Sequence, residues 1–382
     1  MIIHYICSFD DYNNSRQLNT QPSGVTKINY IKSALKRAGH DVILFSTAES
    51  NNKRMSCYPH NRIVVDNHES IVFPFIIGRK NFFLKVLSKV LLLIQLTFYL
   101  LFKVKKNHCI LLYHSLSMMT LIKMITFIKN EKIYIEVEEI YNAAYQNDIK
   151  KINNEISFIK NTAKGLLLVN DIIGTICEFK QPSISCYGIY ESTNNIFDCK
   201  NRDNINVLYA GVIGGPNSDA YVAIKLGFFL PEKYVVHVLG YGSPNDISYL
   251  KRYLLDNETK FKCKVFYHGC LLGQEYLNFI STCQIGLCPR LLENNFSDYT
   301  FPSKVLVYMA NNILPICTPL SCIENSVIKK YLLLTKDSSV ASFAQAIKDA
   351  NLNIVSDYKN ILDKLDANFV SELRSFFVCD KN

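Results

Sequence analysis

The stretch NVLYAGVIGGPNSDAYVAIKLGFFL, residues 206–230, decides how this chain folds. Its first six residues form a short apolar run closed by glycine. The part from Ser218 on, SDAYVAIKLGFFL, then carries apolar side chains at helical spacing. A buried strand, a loop with Gly211, Gly214 and Gly215, and a helix in that order open a βαβ unit, whose strands pair in parallel and are covered on both faces. Glycines at such a place either make a tight turn or let the backbone approach a diphosphate and donate N–H groups to it.

Further along, the alternation repeats. Strand YVVHVLGYG (234–242), helix DISYLKRYLLDN, strand KVFYHG (264–269), helix GQEYLNFISTC, strand IGLCPR (285–290) and strand ILPICT (313–318) follow. Gly240 and Gly242 end the second strand, and His268 and Gly269 end the third. Three small-residue loops at one sheet edge predict a nucleotide pocket more strongly than any one of them.

Before residue 206 the same grammar holds. MIIHYICSF is a strand, a polar loop ends at Ser23-Gly24, and VTKINYIKSALKRAG is a helix closed by Gly39. Strands follow at HDVILFST, CILLYHS (109–115), KIYIEVEEIY (132–141) and GLLLVN (165–170), with helices between them. The segment from 187 to 206, YGIYESTNNIFDCKNRDNIN, suits a linker. The expected architecture is α/β: a Rossmann-like domain over 1–187, a second over 206–355, and a C-terminal helix over 356–382 that packs back on the first domain. Ligands of such open sheets bind at the carboxyl ends of the strands, here in a crevice between the domains.

Composition bounds what the chain does. Its 382 residues exceed one average domain, and 49% hydrophobic content excludes disorder. The thirteen cysteines are scattered singly, as at Cys7, Cys109, Cys177, Cys263 and Cys270, which reads as reduced thiols. Cys283/Cys288 and Cys317/Cys322 lack the second pair or histidines of a zinc site, so no metal site is expected. The net charge of +9 suits nucleotide phosphates or an anionic membrane surface, and no nucleic-acid motif accompanies it. Residues 82–106, FFLKVLSKVLLLIQLTFYLLFKVKK, are long enough to span a bilayer. Lys85, Lys89 and Gln95 interrupt them, however, and strands of one sheet flank them, so a surface helix, partly packed on the core and able to lie in the membrane interface, is preferred over a true span.

One more motif has a chemical flavour. In SDYTFPSKVLVYMA (297–310) Pro302 suits the first turn of a helix, Ser303 offers a hydroxyl and Lys304 a cation. Alone it reads equally well as a capped helix with a solvated lysine.

The order SGVTKINYIKSALKRAGHDVILFS, YAG, HVLGYGS, VFYHG and FPSKVLVYMA resembles, over essentially the whole chain, the GT-B-fold glycosyltransferases of family 4. The bacterial enzymes of O-antigen, capsule and exopolysaccharide assembly are the most similar. The resemblance implies two Rossmann-like domains facing a cleft and transfer of a sugar from a nucleotide-diphosphate sugar. Transfer is expected to be metal-independent and retaining, to a polyprenyl-linked glycan at the cytoplasmic face of the membrane. It also implies that Ser23, Gly24 and Val25 approach the donor, and that Gly211, Gly214, Gly215, Gly240, Gly242, His268, Gly269 and Tyr299 line its site. Ser303 and Lys304 meet the diphosphate. The first loop of the second domain lacks the family's basic residue, which leaves Asn217, Ser218 or the backbone. The family's second acid is replaced by Val307. Glu138 falls where relatives carry a histidine and is the candidate base for the acceptor hydroxyl or a polar partner of the sugar, unless it is merely solvated or paired with a lysine, while His114 either binds substrate or is an interior histidine.

Two rivals stand beside this reading. A dehydrogenase needs G-x-G-x-x-G after the first strand, and MIIHYICSFDDYNNS lacks it. A non-catalytic relative that binds nucleotide or glycan fits Val307 and the missing loop cation.

Overall fold

The apolar runs assemble into two parallel sheets, each in its own unit. The computed structural model describes residues 1–10, 18–50, 57–78, 81–145, 148–192, 204–290 and 298–377. Most of the expected linker, 193–203, and the loop at 291–297, with Ser297 of the FPSK motif's lead-in, lie outside the described residues.

The first unit comprises the described residues of 1–169, 173–186 and 367–382. It contains β1 (Ile2–Cys7), α1 (Pro22–Arg37), β2 (Asp41–Ser46), β3 (Cys57–Tyr58), β4 (Asn61–Asp66), β5 (Glu69–Phe73), β6 (Ile76–Ile77) and α2 (Phe82–Phe102). Next come β7 (Cys109–Tyr113), α3 (Met119–Lys129), β8 (Ile133–Val137), α4 (Tyr141–Tyr145), α5 (Ile149–Thr162), β9 (Ala163–Leu168), α6 (Ile172–Ile176) and β10 (Ser183–Ser185). Eight strands form one sheet in the order β10-β9-β8-β7-β1-β2-β5-β4, parallel except for the edge strand β4, and β3 pairs with β6 apart from it. The hairpin β4–β5 was not read as strands from the sequence: β4 (NRIVVD) is an edge strand, partly or fully exposed along its length.

α1 shows why the sequence folds as read. Pro22 sits in its first turn, Val25, Ile28, Ile31, Ala34 and Leu35 form the buried stripe, and Gly39 at φ +90° ends it. The C-terminal segment from Ala367 belongs to this unit: Phe369 stacks on Tyr30, and His40 bonds the Leu373 carbonyl at 3.0 Å.

The second unit holds Asn170–Ile172 and the described residues of 187–366. Its elements are β11 (Ile205–Ala210), α7 (Asp219–Lys225), β12 (Tyr234–Leu239), α8 (Pro244–Asn257), β13 (Lys264–Tyr267), α9 (Gly273–Ile280), β14 (Ile285–Cys288) and α10 (Lys304–Ala310). β15 (Leu314–Cys317), α11 (Ser321–Glu324), β16 (Leu333–Leu334) and α12 (Val340–Lys348) follow, and α13 (Tyr358–Phe376) starts in this unit and belongs to the first from Ala367 on. Six parallel strands run β13-β12-β11-β14-β15-β16. Val207, Val236, Ile285 and Ile316 from four adjacent strands lie in a single core with Tyr221 of α7 and Phe343 of α12.

Both sheets share one logic. Counting only the parallel strands from β5 to β9 in the first unit, each reads 3-2-1-4-5-6. The order reverses between β1 and β7 in one unit and between β11 and β14 in the other. At such a switch point the loops leave in opposite directions and a ligand crevice opens at the carboxyl ends.

Candidate functional site

At the switch point of the second unit, Lys304 is brought over the end of β11. α10 is seated by Tyr308, whose ring occupies the space a side chain at Gly286 of β14 would need: a Cβ there would lie 2.4 Å from the ring. Tyr308 is fully buried, and this packing fixes the helix that begins with Lys304. The Lys304 ammonium then lies 5.0 Å from the centre of the Tyr209 ring and fills the space beside Gly211, where a Cβ would sit 2.2 Å from Nζ. Tyr209 is itself held, donating its hydroxyl to the Val212 carbonyl at 3.0 Å.

Among the described residues, Lys304 makes no ion pair or hydrogen bond through its ammonium. Burial lowers its pKa, and Arg290 beyond the end of β14 pushes the same way, while Cys288 and Asp219 oppose. Two cations thus stand at one sheet edge. In the same unit the Ser218 hydroxyl, in the loop between β11 and α7, and the Thr318 hydroxyl, after β15, are buried with no hydrogen-bond partner among the described residues. A desolvated ammonium with no counter-ion among the described residues favours an anion.

The glycine loops are packed against one another. Gly240, at φ +148°, lets the second loop approach the first so closely that a Cβ would lie 1.7 Å from the Gly211 carbonyl oxygen. Gly242 does the same against Ile213, with a Cβ 2.2 Å from its carbonyl oxygen. Hydrogen bonds from Gly211 N to the Leu239 carbonyl (2.9 Å), Ile213 N to Tyr241 (2.8 Å) and Gly240 N to Gly269 (2.8 Å) extend the ladder past the strand ends. Gly214 meets Ser218, while beside Gly215 and Gly269 the space is open.

His268 takes another direction. Its Nε2 bonds Nδ1 of His237 at 2.9 Å, and its ring lies 4.5 Å from that of Phe279. Burial, aided by His268, holds His237 down at about 4. Tyr299 lies in the segment before α10, where the Asn170 side chain donates to the carbonyls of Asp298 (3.4 Å) and Thr300 (2.9 Å). Ser303 is exposed and caps no backbone N–H with its side chain. Val307 is half-buried, one turn into α10.

In the first unit, Ser23 and Gly24 are not in the loop after β1 but in the first turn of α1, with open space beside Gly24. Glu138 follows β8, which ends at Val137, and is ion-paired with Lys27 of α1. Lys27 also donates to the Cys186 carbonyl at 3.1 Å. Beneath this pair, Glu136 is fully buried and accepts from the Tyr5 hydroxyl. Burial above all, then Glu138, pushes the Glu136 carboxyl up to about 8, against Lys27 and the Tyr5 bond. His114 has no exposure and bonds Glu155 at 2.8 Å, whose carboxylate also accepts from Tyr141 N, Asn142 N and the Asn142 amide, each at 2.8 Å.

Sequence reasoning passed over Lys27, Glu136, Tyr209 and Arg290. Lys27 lies in an ordinary amphipathic helix, and Glu136 sits inside an apolar strand, IYIEV, where a carboxyl without a visible partner is itself a signal. Among the described residues, no three His, Cys, Asp or Glu side chains are grouped as metal ligands.

No protein-family model matches this chain, and a sequence comparison with curated proteins finds no match. Solved structures do match. OtsA in its apo form superposes with a TM-score of 0.67 at 10% identity, over 98% of this chain and 97% of that one. An α,α-trehalose 6-phosphate synthase from Burkholderia multivorans gives 0.63 at 9%, over 99% and 95%. Anabaena HepE in complex with UDP-glucose gives 0.63 at 11%, over 98% of each chain. The fold is therefore GT-B, the two-Rossmann architecture of glycosyltransferases.

Proposed function

We propose that this protein is a glycosyltransferase that takes a sugar from a nucleotide-diphosphate donor. The observation that carries this is Lys304, a largely desolvated ammonium with no counter-ion among the described residues, at the switch point of a GT-B unit. Lys304 and Arg290 would hold the diphosphate and stabilise it as it leaves, the role in which a cation in a water-poor site contributes most. That charge supply supports transfer without a bound metal or other cofactor. The structural neighbour HepE in complex with UDP-glucose supports a uridine donor.

The finer reading follows the sequence resemblance: family 4, with retention at the transferred sugar and a polyprenyl-linked glycan as acceptor. It belongs to O-antigen or capsule synthesis at the cytoplasmic face of the membrane. Glu138 is tied to Lys27, so a base at this place works as a Lys27–Glu138–Glu136 group and not as one free carboxylate.

A second reading is favoured by Val307, which stands where an acid would hold the donor: the protein then binds nucleotide without turning over. Calorimetric titration with UDP and GDP, followed by transfer assays with a panel of nucleotide sugars, separates the two. Lys304→Ala is expected to weaken nucleoside-diphosphate binding roughly tenfold to a hundredfold with folding intact. Affinity unchanged in that variant removes the diphosphate role. Binding without any turnover leaves the non-catalytic reading.

A further inference from the structure

The first unit carries an apolar surface that its own fold does not cover. α2 buries one row, Ser88, Leu92, Leu96 and Leu100, against the unit, and Gln95 pins it by bonding both the N–H and the carbonyl of Phe75 at 2.8 and 2.9 Å. The opposite ridge, at the same four-residue spacing, is exposed and ends in Ile94, Phe98 and Phe102. α3 adds Met124, Phe127 and Ile128, also exposed. Lys129 of α3 donates to the carbonyls of Leu100 (3.2 Å) and Val104 (3.0 Å), which fixes the last turns of the two helices side by side. Phe102 is 72% exposed and Phe127 86%, so the ends of both helices offer large rings to whatever lies outside.

The charge around this surface is one-sided. Residues 81–130 contain seven lysines and no aspartate or glutamate, a net +7 within a chain whose total is +9. Lys103, Lys105 and Lys106 follow the exposed end of α2, Lys123 lies on α3, and all four are exposed. The first acid in sequence, Glu131, lies 4.0 Å from Lys129, and Lys129 already bonds the end of α2.

α2 is long and apolar enough to cross a bilayer, but the fold opposes that. Leu92, Leu96 and Leu100 are packed inside the unit, and β5 before α2 and β7 after it belong to one sheet. A crossing helix would put those strands on opposite sides of the membrane. A helix half-packed on protein, with aromatic and aliphatic side chains outward and lysines at its margin, lies in the plane of the interface.

We infer that the end of the first unit formed by the last turns of α2 and α3 docks on an anionic lipid bilayer. Phe98, Phe102, Phe127 and Ile128 enter the acyl boundary, and Lys103, Lys105, Lys106 and Lys123 lie against the headgroups. The inference takes the peripheral-membrane part of the proposed function and gives it a place; it does not depend on glycosyl transfer. Anionic lipid is preferred over a protein partner because the rings and the uncompensated lysines coincide at one end of the unit.

The test is co-sedimentation of the full-length protein with vesicles of phosphatidylcholine and phosphatidylglycerol in a three-to-one ratio, and with phosphatidylcholine alone. Wild type is expected to sediment with the anionic vesicles and to be released by salt, as surface electrostatics require. Phe102→Asp/Phe127→Asp is expected to lower partitioning roughly tenfold or more, and Lys103→Gln/Lys105→Gln/Lys106→Gln to lower it and abolish most of the salt dependence. UDP binding and the thermal midpoint, measured in the same variants, should stay at wild-type values because the substitutions are at exposed positions. Unchanged partitioning of the Phe pair overturns the assignment of this face. Absence of wild-type binding to anionic vesicles overturns docking altogether, while UDP binding would still leave the transferase reading standing. A wild-type dimer that the Phe pair dissociates, without vesicle binding, makes the face a self-association surface and overturns the inference too.

Discussion

A side chain on Gly211 and the ammonium of Lys304 compete for one place, since a Cβ at 211 would stand 2.2 Å from Nζ. Gly211 is needed less for its own flexibility than for the room it leaves to a cation from another element. Gly211→Ala is therefore expected to displace Lys304 and weaken nucleoside-diphosphate binding by roughly tenfold. In the double variant Gly211→Ala/Lys304→Ala the losses should not add, because both remove one interaction. Titration calorimetry on the two single variants and the double checks this; additive losses would separate the two residues.

Gly240 is a different case. Its backbone lies at φ +148° and a Cβ would strike the Gly211 carbonyl oxygen at 1.7 Å, so both strain and overlap act at once. Gly240→Ala is expected to cost about 3 kcal/mol of stability or more. Denaturant unfolding measures it, and a cost below about 1 kcal/mol would mean that the two loops separate easily.

Because burial holds the Lys304 pKa below its ordinary value, the charged form is lost at lower pH than for a surface lysine. Diphosphate binding requires the charged form, so affinity should decline as pH rises through the lowered pKa. The fold itself gains relative stability over the same range, since the folded state releases this proton before the unfolded chain does. Lys304→Arg should bind diphosphate with a flat profile on the alkaline side. Nucleotide titrations between neutral and alkaline pH decide, and an identical decline in both proteins would place the titration elsewhere.

Glu136 gives the opposite sign. Its carboxyl is raised from the ordinary value of 4.5 to about 8, so between those limits the folded protein keeps a proton that the unfolded chain loses. Stability should fall as pH rises through that window and level off above it. Glu136→Gln retains the acceptor for the Tyr5 hydroxyl and removes the titration. Relative to wild type it is expected to gain roughly 2 kcal/mol or more on going from acid to mildly alkaline pH, seen in thermal or denaturant unfolding. Parallel pH profiles for the two proteins would contradict the burial of a proton there.

Much of this protein was legible in its sequence, and the reason is local. Continuous apolar strands alternating with amphipathic helices leave a parallel sheet covered on both faces as the workable arrangement, which is why NVLYAG and its successors mark the second unit without any structure. FPSK was legible as a place of interest because a lysine at a helix start stands at the positive end of the helix dipole, where a cation is disfavoured. What each partner does was not legible, because it depends on residues far apart in the chain. Whether Lys304 is solvated or held over Tyr209 depends on Tyr308 meeting Gly286, and the glycines after β11 and β12 meet each other across two loops. Which cation meets Glu138 was not legible, because the fold sets Lys27 beside it from 111 residues away. Periodicity reports which face of an element is apolar; only tertiary packing decides which charges are taken out of water, and that distinguishes the Lys304 site from a solvated turn.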